Sequence, residues 1–345
     1  MRIAVDAMGG DHAPARIVDG VVAAVRHQGI GVDLVGRTDA VRAELARHPD
    51  QESLDIRIVD APDVIDMAES PALALRRKPR ASIRVAAELV RSGEAAALVS
   101  AGHTGATVVA AHAAFGMLPG VDRPALAPTV PTRGGSAVLI DAGATVECKP
   151  SHLLQFGVMG AVYAKTWLSM QRPRVGLLSI GEEETKGNDL TREAHRLLKA
   201  SSLNFVGNIE AREIFSGAAD VVVCDGFTGN VALKLSEGLV EMVEELLGEE
   251  LQSTFSSQVG YLLSRRAFRR FRRRVDYSEY GGAPLMGVAG LCIVGHGRSS
   301  AKAVRNAVTM AARFMSSNVL SRVEQEIALT SVDHPALSER MRVEG

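Results

Sequence analysis

Along most of the chain a short aliphatic or β-branched run gives way to a glycine-bearing turn. The turn then opens a segment whose apolar positions recur at helical spacing. Runs at 3–5, 32–35, 54–59, 95–99, 137–141, 174–180, 203–206, 221–223 and 291–294 read as strands. Helices are predicted at 15–27 and from Thr38, and Ser70 with Pro71 starts a short one. An alanine-rich helix ends at Phe115, and others run through Tyr163 and Trp167, from Asp189, from Thr228 through Val240, and to Met315. Alternation of this kind predicts an α/β fold, a mostly parallel sheet sandwiched by helices, as one domain over 1–345. The proline-punctuated stretch 119–131 marks the weakest internal seam.

The most informative unit is 219–234. Val221, Val222 and Val223 suit a strand buried on both faces, Asp225 stands at its end, and Gly226, Gly229 and Asn230 lie at the start of a helix that carries Lys234. In open α/β sheets ligands sit beyond the carboxyl ends of strands, where glycine admits close backbone approach and helix N-terminal N–H groups attract anions. The same ending recurs. Asp6 and Asp11 flank Gly9 and Gly10; Ser100, Gly102, His103, Thr104 and Gly105 close another strand; Asp141 ends a third; and His296 sits in a glycine turn before the last long helix.

Composition narrows the classes. With 46% hydrophobic and 23% charged residues the chain is that of an ordinary globular protein, and a net charge of -1 gives no global attraction to nucleic acid or anionic lipid. An aromatic content of 4% also argues against base-stacking modules. Three scattered cysteines fit a reducing compartment, and no leader or membrane-spanning run is present, so a cytoplasmic protein is expected. Gly295-x-Gly297 lacks the third glycine and the later acidic residue of a dinucleotide fingerprint, and no P-loop or nucleophile elbow occurs. No cofactor is expected. Histidine spacing makes no metal set, and His195 reads as a helix-surface residue. Arg76, Arg77, Lys78 and Arg80 form a cationic loop suited to phosphate or an acidic partner, or simply to solvent.

Several ordered motifs together resemble one family. They are Asp6-Ala-Met-Gly-Gly-Asp, Ser100-Ala-Gly-x-Thr-Gly-Ala, Cys148-Lys-Pro with His152-Leu-Leu-Gln-Phe, Ile180-Gly-Glu-Glu, Lys186-Gly, Gly207-Asn-Ile-Glu, Asp225-Gly-Phe-x-Gly-Asn and Tyr280-Gly-Gly-Ala-Pro-Leu. Between Met1 and about Met315 the chain is similar to the bacterial acyl-acyl carrier protein:phosphate acyltransferases. The resemblance implies a homodimer that moves a fatty acyl group from acyl carrier protein to orthophosphate. The acyl phosphate would serve a membrane-bound glycerol-3-phosphate acyltransferase in phospholipid synthesis. A fold similar to phosphotransacetylases and isopropylmalate dehydrogenases is also implied. The motifs add Asp6, Gly9, Gly10, Asp11, Glu182, Glu183 and Asn208 to the site candidates. His103, Thr145 and Ser179 depart from the family, which usually carries Asn there.

Attack of phosphate on a thioester needs a dianion pocket, a donor for the carbonyl oxyanion and orientation, with no obligatory metal. The expected phosphate site combines Ser100, Gly102, His103, Thr104 and Gly105 with Gly226, Gly229, Asn230 and Lys186. Lys149 or His296 would stand near the developing charge, oriented by Asp141 and Asp225. The acidic carrier protein would dock on Arg76, Arg77, Lys78 and Arg80. A dehydrogenase-like oxidoreductase and a non-catalytic carrier-protein or lipid-binding scaffold are the competing readings.

The stretch 250–277 breaks the strand-helix rhythm and carries seven arginines within 265–274. Its apolar spacing predicts two helices in an exposed hairpin, with Gly260 as a weak point. Leu262, Leu263, Phe268 and Phe271 would either touch an anionic membrane, as a peripheral contact, or meet the partner subunit.

Overall fold

The computed structural model describes residues 1–275 and 281–333. Its strands, in chain order, are β1 (Arg2–Asp6), β2 (Gly31–Gly36), β3 (Ile56–Asp60), β4 (Ala97–Ser100), β5 (Ala125–Leu126), β6 (Thr129–Thr132), β7 (Gly135–Ile140), β8 (Val175–Leu178), β9 (Phe205–Ile209), β10 (Val221–Val223), β11 (Ala283–Met286) and β12 (Leu291–Val294). Helices α1 (Ala15–Gln28), α2 (Thr38–Leu45), α3 (Pro71–Arg77), α4 (Ser82–Arg91), α5 (Thr104–Phe115) and α6 (Pro150–Trp167) come first. They are followed by α7 (Asp189–Ala200), α8 (Gly226–Ser253), α9 (Phe255–Val275), α10 (Ala301–Met315) and α11 (Val319–Asp333).

Alternation of strand and helix produces the expected mostly parallel architecture, divided between two sheets. One has the order β3-β2-β1-β4-β12-β11-β5, the other β6-β7-β10-β8-β9. All pairings are parallel except those made by β11 with its two neighbours and by β6 with β7. The stretch expected to be a seam holds β5 and β6, and the chain passes from one sheet to the other between them. Leu126 at the edge of the first sheet is tied to the turn after β7: Ala142 N–H donates to its carbonyl at 3.0 Å, and its own N–H donates to Asp141 Oδ1 at 2.8 Å. Prolines 124, 128 and 131 obscured two short strands that need few ladder donors.

The central strands are buried on both faces, as the β10 pattern predicted. Val221 and Val223 enter one apolar layer and Val222 the other. On the first side α6 presses so closely on β10 that a Cβ on Gly160 would lie 2.5 Å from Val221 Cγ1, which only glycine permits.

Where the sequence reading placed a hairpin at 250–277, two helical arms are bounded differently. The first arm is the second half of α8, which runs unbroken from Gly226 to Ser253, and the bend is at Thr254. The second arm, α9, passes straight through Gly260. Positions 276 and 277, and Tyr280 of the family motif, lie outside the described residues.

Candidate functional site

Turns from three adjacent parallel strands converge beyond β1, β4 and β12. Asp6, the last residue of β1, is 3% exposed; its Oδ2 accepts from Ser100 Oγ at 2.8 Å and its Oδ1 from Met8 N–H at 3.2 Å. Ser82, at the start of α4, also donates to it. Burial holds the Asp6 carboxyl above the usual range against these donors. Gly295 N–H donates to the Ser100 carbonyl at 2.7 Å and Asp11 N–H to the Gly297 carbonyl at 2.8 Å, so all three turns are stitched together. Gly9 is pressed between them: a Cβ there would meet Asp6 Oδ2 at 2.6 Å and Gly102 N at 2.8 Å. His103 caps α5, its Nδ1 accepting from Ala106 N–H at 3.4 Å, and Thr104 and Gly105 form the first turn.

A second cluster forms beyond β7 and β10. Asp141 is fully buried, and its carboxylate accepts four backbone N–H bonds, from Leu126, Gly143, Ala144 and Thr145, at 2.6–3.0 Å. Burial nevertheless raises its pKa to about 6. Gly226 N–H donates to the Thr145 carbonyl at 2.9 Å, and a Cβ on Gly229 would stand 1.9 Å from the Asp141 carbonyl. Gly143 packs against Asn230. Asp225 caps α8, accepting from Thr228 N–H at 2.9 Å and its hydroxyl at 2.7 Å. Both carboxylates thus organise backbone, where the sequence reading had them orient cations.

Lys149, at the start of α6, and Lys186, in the loop after β8, are exposed. Lys149 N–H donates to Nδ1 of buried His152 at 3.0 Å, and burial lowers that histidine's pKa. Glu182 and Glu183 are exposed, while Asn208 is buried and its amide holds the Glu183 carbonyl at 2.8 Å. Among the described residues the Ser179 hydroxyl beneath this loop finds no hydrogen-bond partner, although it is buried. His195 is 4% exposed, contrary to its surface assignment. The amphipathic α7 turns it inward beside Ala194 and Leu198, where its Nδ1 meets Asn208 Oδ1 at 2.9 Å and its ring packs edge-on against Phe205.

The first turns of α8 link the two clusters. Glu237 binds Lys234 at 2.8 Å and lies 3.5 Å from His296 Nε2, while Arg298 stands 3.9 Å from Glu241. Arg298 N–H donates to His296 Nδ1 at 3.1 Å, which leaves Nε2 as the protonated nitrogen of the neutral ring. Burial is the largest cause of that histidine's lowered pKa; Lys234 lowers it too, and Glu237 and Asp11 oppose them. Glu237 escaped the sequence reading, although its i,i+3 spacing from Lys234 on a helix was a usable signal.

Of the proposed carrier-docking cations, Lys78 is tied to Glu69 and to the Val64 carbonyl at 2.8 Å, and Arg80 pairs with Asp60 at 2.7 Å. Arg76 and Arg77 stay exposed at the end of α3. In the hairpin, Leu262 and Leu263 are 67% and 82% exposed, Phe271 is exposed, and Phe268 is half-buried against Tyr261. No described helix is long and apolar enough to cross a membrane. Among the described residues no group of three His, Cys, Asp or Glu side chains is placed to hold a metal ion.

Residues 1–322 match the model of a family described as fatty acid synthesis protein. The chain is 51% identical over 327 residues to a phosphate acyltransferase of Geobacter sp. (strain M21), covering 95% of this chain and 93% of that one. It is 53% identical over 326 residues to a phosphate acyltransferase of Nitratidesulfovibrio vulgaris (strain DP4), covering 94% of each. Among solved structures, a phosphotransacetylase from Streptococcus pyogenes superposes with a TM-score of 0.60 at 18% identity over 92% of this chain and 94% of that one. A branched-chain phosphotransacylase from Enterococcus faecalis V583 gives 0.56 at 15% identity over 91% and 99%. At such identities the structures speak for the fold alone, and it is the phosphotransacetylase fold expected from the motifs.

Proposed function

The chain belongs to the fatty acid synthesis protein family, among the phosphate acyltransferases, and we propose that it transfers a fatty acyl group from acyl carrier protein to orthophosphate. A phosphate oxygen attacks the thioester carbonyl, the C–S bond breaks, and the carrier's thiolate leaves and takes up a proton. The product is an acyl phosphate, suited to glycerol-3-phosphate acylation by a membrane enzyme. The observation that carries this reading is the pair of turn clusters at strand ends, each opening a helix whose N-terminus suits an anion. In our assignment phosphate lies between the turn of Ser100 and Gly105 and the start of α8, with Lys186 as counter-charge. Lys149 or the Nε2–H of His296 then faces the carbonyl oxygen as negative charge develops there. Neither role needs a resident cofactor.

We assign separate roles to α8 and to α9. Exposed Leu235, Leu239, Met242 and Leu246 on α8 follow a 4-3-4 spacing, the seam by which a second copy would pack to form a homodimer. Leu262 and Leu263 on α9, beside its arginines, suit the surface of an anionic membrane, at about 1 kcal/mol per basic residue near the headgroups. The protein would then be cytoplasmic with a peripheral membrane contact.

Incubating the protein with acyl-acyl carrier protein tests the central claim: free thiol should appear only when phosphate is present. Release at equal rate without phosphate, or none at all, overturns it. For the hairpin, flotation with anionic vesicles should fail once Leu262 and Leu263 are replaced by Glu, with the dimer's mass unchanged by light scattering. A monomeric double variant would move those leucines to the subunit interface.

A further inference from the structure

α4 and α5 run side by side away from the strand ends, and α3 lies across α5 near its start, where Pro71 touches the Gly105 turn. Between the three helices is a groove of about 720 Å3. Its floor is Leu75, Ala87, Val109 and Ala110, and exposed Ala113 leaves it open at the far end. Arg76, Arg84 and Arg91 stand around it with a single carboxylate, Glu88, among them. Glu88 pairs with Arg91, and Arg84 also donates to the Leu75 carbonyl at 3.0 Å. Lys78 and Arg80 are held elsewhere by Glu69 and Asp60, whereas Arg76, exposed at the end of α3, stands at the groove beside Arg84.

We infer that this groove receives an acidic amphipathic helix of the thioester-bearing carrier protein. Its apolar face would lie on the alanine floor and its carboxylates beside Arg76, Arg84 and Arg91. The assignment rests on the functional reading above and names the surface that reading lacks. Small floor residues let a helix backbone come close, and a helix in a groove needs an apolar floor with charged edges. A fatty acyl chain fits less well, because an open, arginine-rimmed groove leaves an alkyl chain wet along its length. Continuity supports the same occupant. α5 starts at Thr104 in the first turn cluster, and the ten residues from there to Ala114 span about 15 Å, so a docked carrier lies within reach of that turn for a flexible thioester arm.

The test is Ala113→Glu, an exposed helical position where glutamate keeps the helix but puts a carboxylate at the open end of the groove. Two donors are compared, acyl-acyl carrier protein and the same acyl group on a short pantetheine thioester. KM for the carrier donor should rise about tenfold or more, with kcat and the KM of the short donor unchanged. Wild-type KM for the carrier donor should also rise with salt. An unchanged carrier KM overturns the assignment. Loss with both donors overturns it in favour of an acyl-chain groove, and a fall in mass by light scattering overturns it in favour of a contact between copies. Wild type that releases no thiol from either donor would strike the functional reading itself.

Discussion

Asp6 and Asp141 occupy matching places, each buried at the carboxyl end of a parallel strand in its own sheet. Asp6 binds two serine hydroxyls and the backbone N–H groups of Met8 and Gly9, whereas Asp141 binds four backbone N–H groups and, among the described residues, no hydroxyl. A hydroxyl can rotate and accept as readily as it donates; an N–H can only donate. The first cluster therefore tolerates an amide at its centre, and the second does not. One centre joins three separate elements through side chains, and the other shapes its own loop and ties it to β5 through the Leu126 N–H. The two turn clusters should accordingly fail in different ways.

Glycine gives the largest contrast. Gly229→Val would drive its Cβ into the Asp141 carbonyl, 1.9 Å from where that atom would sit, and neither backbone can retreat. A loss of at least about 4 kcal/mol is expected, enough to leave much of the protein unfolded. At Gly105 a Cβ would meet only Pro71 Cγ at 3.1 Å and the His103 ring at 3.2 Å, both side-chain atoms. Gly105→Val should cost under about 1 kcal/mol, since leaving glycine also favours the helix. Any loss of turnover there reports on the anion site and not on folding. Urea midpoints check both; similar values for the two variants would break the contrast.

Amide substitutions come next. Asp141→Asn must set an NH2 against N–H donors, leaving at least one buried donor unpaired, for about 2–3 kcal/mol. Asp6→Asn can turn its NH2 to Ser100 Oγ, and about 1 kcal/mol is expected. A second measurement sharpens the pair. Since the native pKa of Asp141 is raised from 3.8 to about 6, the folded protein holds a proton between about pH 4 and 6 that the unfolded chain has released. Wild-type stability should fall as pH rises through that window, by about 3 kcal/mol from this group. Asp141→Asn should lose that slope, and a variant that keeps the wild-type slope assigns it to another carboxyl.

Both clusters were largely legible because glycine, aspartate and a helix start follow a strand in the sequence, and local chemistry fixes such turns. What was not legible depends on contacts with a neighbouring element and not on the chemistry within one turn. His195 reads as surface until Asn208 and Phe205 approach it, and Lys78 reads as free until Glu69 closes on it. The split into two sheets was hidden for a different reason: strand periodicity sets which face is buried but not which strand is the neighbour. The amphipathic α4, whose Ser82 reaches Asp6, was passed over in favour of the charged loop preceding it.

Thiols give a smaller effect. Cys148 beside the second cluster has its pKa pushed to about 12 by burial, and carboxylates at 141 and 225 add to the rise. Alkylation at pH 8 should therefore run well below the rate of an ordinary exposed cysteine. Fast labelling at Cys148 would show the turn opening in solution, and would place the second cluster below the first in local stability.

The smallest effect tests whether the clusters act on one another through α8. Glu237 faces both Lys234 and His296, and the two charges act on the histidine with opposite signs, Lys234 lowering its pKa and Glu237 raising it. Glu237→Gln should move the His296 titration to lower pH, because one of the two carboxylates that oppose burial and Lys234 is then neutral. Lys234→Met should move it to higher pH, by removing a neighbouring cation. Each shift should stay below about one pH unit, the usual scale for a single partly solvated charge. Ring-proton chemical shifts followed against pH measure both. Opposite displacements mean that the helix opened by the second cluster sets the protonation of a histidine belonging to the first. Equal or absent displacements would mean that the 3.5 Å contact does not persist in solution and that the clusters titrate independently.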